Sequence, residues 1–400
     1  MSLFSTIEQA PADAILGLTD AFKQDSNPKK VNLGVGVYQD EDGKLPLLKC
    51  VRLAEQELTS ESRPRNYLPI TGLPSYNQAV QRLVLGLDSQ IVVDQRAVTV
   101  QGLGGTGGLK IAADFLKRVC GAKKALVSAP SWPNHRNVFA TAGFEVDTYT
   151  YYDAKARGIN FDQMIADLRS AQPGTVIILH ACCHNPTGYD LDHNQWAEII
   201  DVVSSKSLIP VIDMAYQGFS ESLEEDGWVV RAFADKIDNF LVANSFSKSF
   251  SLYGERVGAL TFICADADQA ERVNSQVKIV IRTNYSNPPT HGAALVTKVL
   301  TNDRLYQLWV SELGDMRQRI KKMRAHLVEG LKSAGVEEDM SFITNQVGMF
   351  SFCGLNKDQM IRLRQDFSIY GTDSSRICMA GLNMSNIEYV SRSFAAILKP

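Results

Sequence analysis

The chain has 400 residues, 45% apolar and 21% charged, with a formal net charge of −3. That length exceeds one ordinary hydrophobic core and calls for two domains or one elaborated α/β domain, while the near-neutral balance argues against a nucleic-acid-binding face. No apolar run approaches the ~18 residues of a membrane span and no basic-then-apolar leader opens the chain, and its seven cysteines, without metal-type spacing, suit a reducing cytoplasm better than a disulfide framework.

Residues 1–14 read as an irregular arm, since Pro11 and small polar residues give no period. A short helix is expected over Asp13–Asp25, ended before Asn27-Pro28. Val31–Tyr38 reads as a strand interrupted by Gly34 and Gly36, where backbone can approach a ligand closely. From about residue 46 strands and helices alternate. Strands are expected over Ala97–Gln101, Ala125–Ser128, Thr175–His180, Leu208–Asp213, Asn239–Ala243 and Gly258–Ile263, and helices over Gly105–Val119, Trp132–Ala142 and Gln195–Ser205. Such alternation predicts a largely parallel sheet with helices on both faces. Ligands of such sheets sit beyond the carboxyl ends of the strands, here Gly102–Thr106, Pro130–His135, Ala181–Gly188, Asp213–Gly218 and Ser245–Lys248.

Asp303–Ser333 reads as one long helix, because Leu305, Trp309, Leu313, Met316, Ile320, Met323, Leu327 and Leu331 recur at threes and fours. At 1.5 Å per residue it is roughly 45 Å long, enough to connect two domains. A shorter α/β region follows from Phe342 to Pro400. The reading is an arm over 1–14, a large domain over 46–315, and a smaller domain from 15–45 and 316–400.

Several constellations carry candidate chemistry. Gly102-Leu-Gly-Gly-Thr-Gly107 has dinucleotide-loop spacing, but the next strand ends in Ser128-Ala-Pro-Ser-Trp-Pro, without the acid that would hold a ribose. What remains is a phosphate cradle at Gly104, Gly105 and Thr106, where a helix N-terminus offers free N–H groups, or a plain tight turn. Trp132 is either a stacking partner for a flat ring or a core residue. In His180-Ala-Cys-Cys-His-Asn-Pro-Thr-Gly188 the spacing is wrong for zinc, so no metal site is expected. Asn185 there is a side-chain donor or a generic turn residue. Asp213, directly after an apolar strand, either caps a turn or is buried and needs a cationic partner, with Tyr216 three residues on. Lys248 sits among Ser245, Ser247, Ser249 and Ser251, with Arg256 eight residues later. Burial would lower its pKa and free the amine to form a Schiff base with an aldehyde cofactor; otherwise it is a solvated turn lysine. Arg282 and Arg376 are surface arginines or carboxylate forks.

Together these residues resemble the class I aminotransferases that use pyridoxal phosphate, in the aspartate and aromatic-amino-acid branch. The likeness runs from Val31-Asn-Leu-Gly-Val-Gly through Tyr67-Leu-Pro-Ile-Thr-Gly, Trp132-Pro-Asn-His, Cys183-His-Asn-Pro-Thr-Gly, Ala215-Tyr-Gln-Gly-Phe, Ser247-Lys248, Tyr253-Gly-Glu-Arg-Val-Gly and Asn284-Tyr-Ser-Asn-Pro-Pro to Arg376. The resemblance implies a fold-type I α/β architecture and a homodimer with shared active sites, to go with the cytoplasm that the cysteines suggest. It implies that Lys248 is the Schiff-base lysine and proton shuttle. Asp213 pairs with the pyridinium nitrogen, with His135 behind it. Asn185 and Tyr216 bond the ring oxygen, and Trp132 stacks on the ring. Gly104, Gly105, Thr106, Ser245, Ser247 and Arg256 surround the phosphate, joined by Tyr67 from a partner. Arg376 takes the substrate α-carboxylate beside Gly36, and Arg282, also from a partner, takes a distal carboxylate.

The implied reaction moves the amino group of tyrosine, phenylalanine and aspartate to 2-oxoglutarate. Gly104 stands where many aspartate-type relatives carry Ser, which leaves one side-chain donor fewer. The stretch Ser245–Glu255 looks like the bacterial aromatic branch, whereas Asn66, Thr106 and Asn287 look like the aspartate branch, so a strict aspartate enzyme is the nearest alternative. A nicotinamide oxidoreductase lacks its ribose acid. A regulator that binds pyridoxal phosphate without turnover would need an appended module, for which no room is visible.

Overall fold

The computed structural model describes residues 3–9, 16–61, 64 and 66–399. Its centre is a sheet of seven strands: β1 (Ala97–Leu103), β2 (Lys124–Ala129), β3 (Glu145–Thr150), β4 (Val176–His180), β5 (Ile209–Met214), β6 (Phe240–Ser245) and β7 (Val257–Ile263). Their spatial order is β1-β7-β6-β5-β4-β2-β3. From β3 across to β6 the pairs are parallel, as the alternating pattern predicts. β7 alone runs antiparallel, between β6 and β1. The carboxyl ends of the other strands therefore share one edge, and β7 begins at that same edge. This is how Arg256, at the entrance to β7, comes to lie beside residues at the ends of β1 and β6.

The central strands are apolar through their middles because both faces are covered, and turn polar only towards their ends. Ile177, Leu179, Ile212 and Val242 point into one core, and Val176, Ile178, Val211 and Leu241 into the other. Helix α1 (Gly104–Arg118) follows β1 without a linker. Its first residue is Gly104 at φ 69°, a left-handed conformation that favours glycine. Helix α2 (Ala267–Asn284) carries Arg282 in its last turn.

Helix α3 spans Asp303–Ser333, as its spacing predicts, capped by Asn302, whose Oδ1 accepts from Leu305 N–H at 3.1 Å. The apolar stripe from Leu305 to Leu331 is buried throughout. Arg324 shares that stripe at 2% exposure and donates from Nη2 to the carbonyls of Gly348 and Phe350, at 2.9 and 2.5 Å.

The expected strand over Val31–Tyr38 is shorter in the structure. Only Val31–Asn32 is a strand, paired in parallel with Ile369–Tyr370. Asn32 Oδ1 accepts from Gly34 N–H at 3.0 Å, a local bond that competes with the ladder and turns the chain away. A second short pair, Phe350–Phe352 with Arg376–Cys378, is antiparallel. The expected first helix runs over Leu16–Gln24; its proposed start at Asp13, and residues 1–2 and 10–14 of the expected arm, lie outside the described residues. No helix among the described residues is long and apolar enough to cross a membrane.

Candidate active site

The floor of the site is the end of β5. Asp213 is register partner to His180 on β4 and to Ala243 on β6, and it is buried at 6% exposure. An ionised carboxylate can only accept, so His135 Nε2–H donates to Asp213 Oδ2, at 2.7 Å, while His135 Nδ1 faces Ser131 Oγ at 3.0 Å. Burial alone would raise the Asp213 carboxyl. The His135 hydrogen bond, with His135 and Lys248 close by, outweighs it and holds the group below its ordinary 3.8. His180 is pushed down to about 3, by burial first and by His135 second. It is therefore a neutral ring, and neither of its nitrogens has a protein partner.

Lys248 follows β6 and is half-buried, with its ammonium nitrogen 4.9 Å from the Tyr216 ring centroid. Its pKa is drawn down to about 8 by burial, against the pull of Asp213 and with help from Arg256 and Arg376. A free lysine stays charged to about 10.4; here the neutral, nucleophilic amine is already roughly a tenth of the population at pH 7 and half of it near pH 8.

On one side of Lys248 is an anion cradle. The start of α1 has no side-chain cap. The Gly104 N–H is spent on the Arg256 carbonyl, at 3.0 Å, so it is the N–H groups from Gly105 onward that face an anion, and the helix dipole favours one. A Cβ on Gly104 would stand 2.5 Å from Arg256 Nη2. The absent side chain is what lets the guanidinium close over this turn. Arg256 is steered by its own Nη1, which donates to the Tyr253 carbonyl at 2.9 Å and to Ser247 Oγ at 3.3 Å.

On the other side is Arg376, 3% exposed. It donates through Nη1 to Asn185 Oδ1 at 3.2 Å and through Nη2 to the Gly34 carbonyl at 2.7 Å, and its guanidinium lies 4.2 Å from the Phe350 ring centroid. None of these partners carries a charge, Nε has no partner, and burial lowers its pKa, opposed by Tyr216 and Cys378. A buried cation without a counter-ion is a receptor for one. With Asn185 Oδ1 occupied, the Asn185 amide nitrogen is the group left to donate into the cavity. A Cβ on Gly36 would lie 2.6 Å from Phe350 Cζ, so only glycine lets the chain cross that ring.

Gly36, Gly105, Thr106, Trp132, Asn185, Asp213, Tyr216, Ser245, Ser247, Lys248, Arg256 and Arg376 line one cavity of about 260 Å³. Gly104 and His135 adjoin it through Arg256 and Asp213. Two expected residues stand outside. Tyr67 is 93% exposed, and Arg282, exposed on the last turn of α2, donates to Ser286 Oγ instead. The structure adds Leu109, His180, Ala215, Tyr253 and Phe350 to the lining. In the sequence Phe350 is one apolar residue of a Phe-Ser-Phe alternation, and nothing there separates it from ordinary core. Among the described residues, two side-chain groups have metal-like proximity: His135, His180 and Asp213, and Cys182, Cys183 and Asp226. In the first, Asp213 is committed to His135. In the second, Asp226 already accepts from the backbone N–H groups of Gly218, Ser220 and Glu221.

The family model of aminotransferase class I and II matches residues 28–394. An aspartate aminotransferase of Pseudomonas aeruginosa is 50% identical over 398 residues, covering the whole of both chains. Among solved structures, an aromatic-amino-acid aminotransferase from Burkholderia pseudomallei, covalently bound to pyridoxal phosphate, superposes with a TM-score of 0.98 at 56% identity, covering 100% of both chains. A psychrophilic aromatic amino acids aminotransferase from Psychrobacter sp. B6, cocrystallised with aspartic acid, gives 0.97 at 43% identity, again covering 100% of each chain. The chain belongs to the class I and II aminotransferases, and its α/β architecture is that of the fold-type I enzymes.

Proposed function

We propose that this aminotransferase uses pyridoxal 5′-phosphate to move the amino group of tyrosine, phenylalanine and aspartate to 2-oxoglutarate, as a cytoplasmic homodimer with shared sites. The observation that carries the reading is Lys248. Its amine, drawn down to about 8, shares one cavity with a buried ionised Asp213 and a buried Arg376 that lacks a counter-ion.

The donor set fits that cofactor. The start of α1 at Gly105 and Thr106, with Ser245, Ser247 and Arg256, forms an anion cradle for the phosphate, beside a Gly104 that a Cβ would block. The partner subunit's Tyr67 would complete it. Lys248 would hold the aldehyde carbon through its amine. Asn185 and Tyr216 would hydrogen-bond the ring oxygen, Trp132 would cover the ring face, and Asp213 would hold a proton on the ring nitrogen. When bound, the cofactor supplies an electron sink for the charge left as the substrate's α-proton departs.

The remaining work belongs to the chain's own residues. Arg376 takes the α-carboxylate beside Gly36 and so fixes which bond is aligned for cleavage. Lys248 Nζ, as a free neutral amine, would take the α-proton and give it back. Asp213 stays ionised through both steps because His135 donates to it. A distal carboxylate falls to the partner subunit's Arg282, whereas an aromatic ring makes no demand on that charge.

The dimer reading is supported by the exposure of Tyr67 and Arg282 outside their own cavity. It is also supported by the exposed Leu3, Phe4 and Ile7 of the N-terminal arm, at 83, 69 and 69%. The cytoplasmic reading rests on cysteine usage. A division into a large domain over 46–315 and a small one from 15–45 and 316–400 belongs to the same proposal.

Single-turnover reactions of the holoenzyme with each amino acid, scored by the 2-oxo acid released, test it. Product from aspartate and from phenylalanine is expected. Product from none overturns the assignment, and product from aspartate alone makes the enzyme a strict aspartate aminotransferase.

A further inference from the structure

The bonds made by Gln101 point to a role that none of the residues above fills. It is 1% exposed and lies on β1, the edge strand of the sheet, two residues before Leu103 ends that strand. Its four polar groups all leave the sheet. The backbone N–H donates to the Thr71 carbonyl at 2.9 Å, and side-chain Oε1 accepts from Leu73 N–H at 3.3 Å. Nε2 donates to the Pro289 carbonyl at 2.7 Å, and the backbone carbonyl accepts from the Tyr285 hydroxyl at 3.1 Å.

Two of these bonds hold the loop that carries Tyr67, and two hold the loop that follows Arg282. Gly72, at φ 95°, packs so closely that a Cβ there would collide with Gln101 Cβ. The loops are also joined directly, since Asn287 Nδ2 donates to the Leu68 carbonyl at 3.2 Å. Ser286, between Tyr285 and Asn287, is the residue to which Arg282 donates. Covering a sheet edge needs only one loop; here one buried side chain ties two.

We infer that Gln101 is a positioning residue for substrate selectivity, holding the Tyr67 loop and the Arg282 loop in one fixed relation. The inference rests on the reading of Arg282 as the receptor for a distal carboxylate. Through Pro289, held by its side chain, and Tyr285, held by its backbone carbonyl, Gln101 fixes the loop whose Ser286 sets where that guanidinium stands. The Tyr67 loop serves both substrates and the Arg282 loop only the dicarboxylic one, so loosening Gln101 penalises a dicarboxylic substrate more than an aromatic one.

The test uses holoenzyme variants. Gln101→Met keeps length and volume but drops both side-chain bonds. Gln101→Glu keeps the acceptor for Leu73 and removes the donor to Pro289. Tyr285→Phe removes only the bond to the Gln101 carbonyl. Amide hydrogen exchange is read over 66–73 and 285–289, and single-turnover kcat/KM is read for aspartate and for phenylalanine. In Gln101→Met both loops exchange about tenfold faster and the aspartate-to-phenylalanine ratio falls about tenfold. In Gln101→Glu and Tyr285→Phe the 285–289 loop alone responds, and the ratio again falls.

Equal losses for both substrates in Gln101→Met overturn the inference, as does faster exchange in only one loop. If Gln101→Met does not fold, an unchanged ratio in Tyr285→Phe overturns it. Arg282→Leu is run alongside. An unchanged ratio there removes the carboxylate reading and this inference with it. A shifted ratio there, with unchanged ratios in the Gln101 variants, removes this inference alone.

Discussion

His135 Nε2 lies 2.7 Å from Asp213 Oδ2, with His135 fully buried and Asp213 nearly so. Unpaired, a carboxylate at such depth would take up a proton; with His135 donating, it titrates below 3.8. Its ionisation therefore favours the fold at every pH above 3.8, and that contribution disappears as acid carries the pH down through the folded value. Asp213→Asn keeps the shape and removes the charge. Cofactor retention after gel filtration should fall, and single-turnover α-proton removal should slow by about 10²-fold or more. Unchanged retention and rate would reduce Asp213 to a capping residue.

Lys248 titrates at about 8 in the cofactor-free chain, against a reference of 10.5. Capture of pyridoxal phosphate by the apoprotein should rise with pH and level off above about 8, because only the neutral amine attacks. Between about 8 and 10.5 the unfolded chain binds the proton and the folded one does not, so this group adds stability as pH rises through that window. Lys248→Ala should abolish the capture and lower turnover beyond the roughly 10²–10⁴-fold typical of acid–base catalysis alone. Stopped-flow capture rates across pH check the first point. A midpoint near that of free lysine would mean the amine is solvated.

Gly104→Ala puts a methyl group where Arg256 Nη2 stands, 2.5 Å away, at a residue with φ 69°. A non-glycine residue held there is strained by about 1–3 kcal/mol, and the guanidinium is pushed out of the cradle. Apparent affinity for pyridoxal phosphate should drop about tenfold or more, while the thermal midpoint of the apoprotein falls by a few degrees. Cofactor titration at fixed protein concentration reads this. An unaltered affinity would show that the cradle does not hold phosphate.

The two arginines should separate by substrate. Arg376 is buried and bonded to Asn185 and Gly34, so Arg376→Leu should damage the half-reaction of every amino acid. Arg282 is exposed and leans on Ser286, so Arg282→Leu should cut kcat/KM for aspartate by roughly ten- to hundredfold and that for phenylalanine far less. Single-turnover kinetics with each amino acid avoids the shared 2-oxoglutarate step. Equal losses in Arg282→Leu would end this division of labour.

Much of this was legible in the chain itself. Runs such as Val-Ile-Ile-Leu, just before His180, and Ile-Pro-Val-Ile, just before Asp213, are apolar throughout because a parallel sheet covered on both faces demands it. The stripe from Leu305 to Leu331 has the period of a helix and is one. Asp213, Lys248 and Arg256 stand at strand ends, where a ligand of such a sheet must bind. These are local properties, dictated by periodicity and by what each backbone can adopt.

Other features were decided only by tertiary structure. The first strand stops early because Asn32 bonds its own neighbour at Gly34, and the chain from Gly34 to Tyr38 leaves the ladder. Strand propensity does not weigh such a bond. Phe350 became the platform for Arg376 and Gly36 because Arg324, buried on another element, holds its carbonyl. Burial itself moved Lys248 to about 8, and a hydrogen bond from a residue 78 positions away kept Asp213 ionised against it. Gln101 reads as one more polar residue in a strand until the loops around Thr71 and Pro289 close on it. The sequence could name the groups; the distances between them, and hence their charges, exist only once the chain has folded.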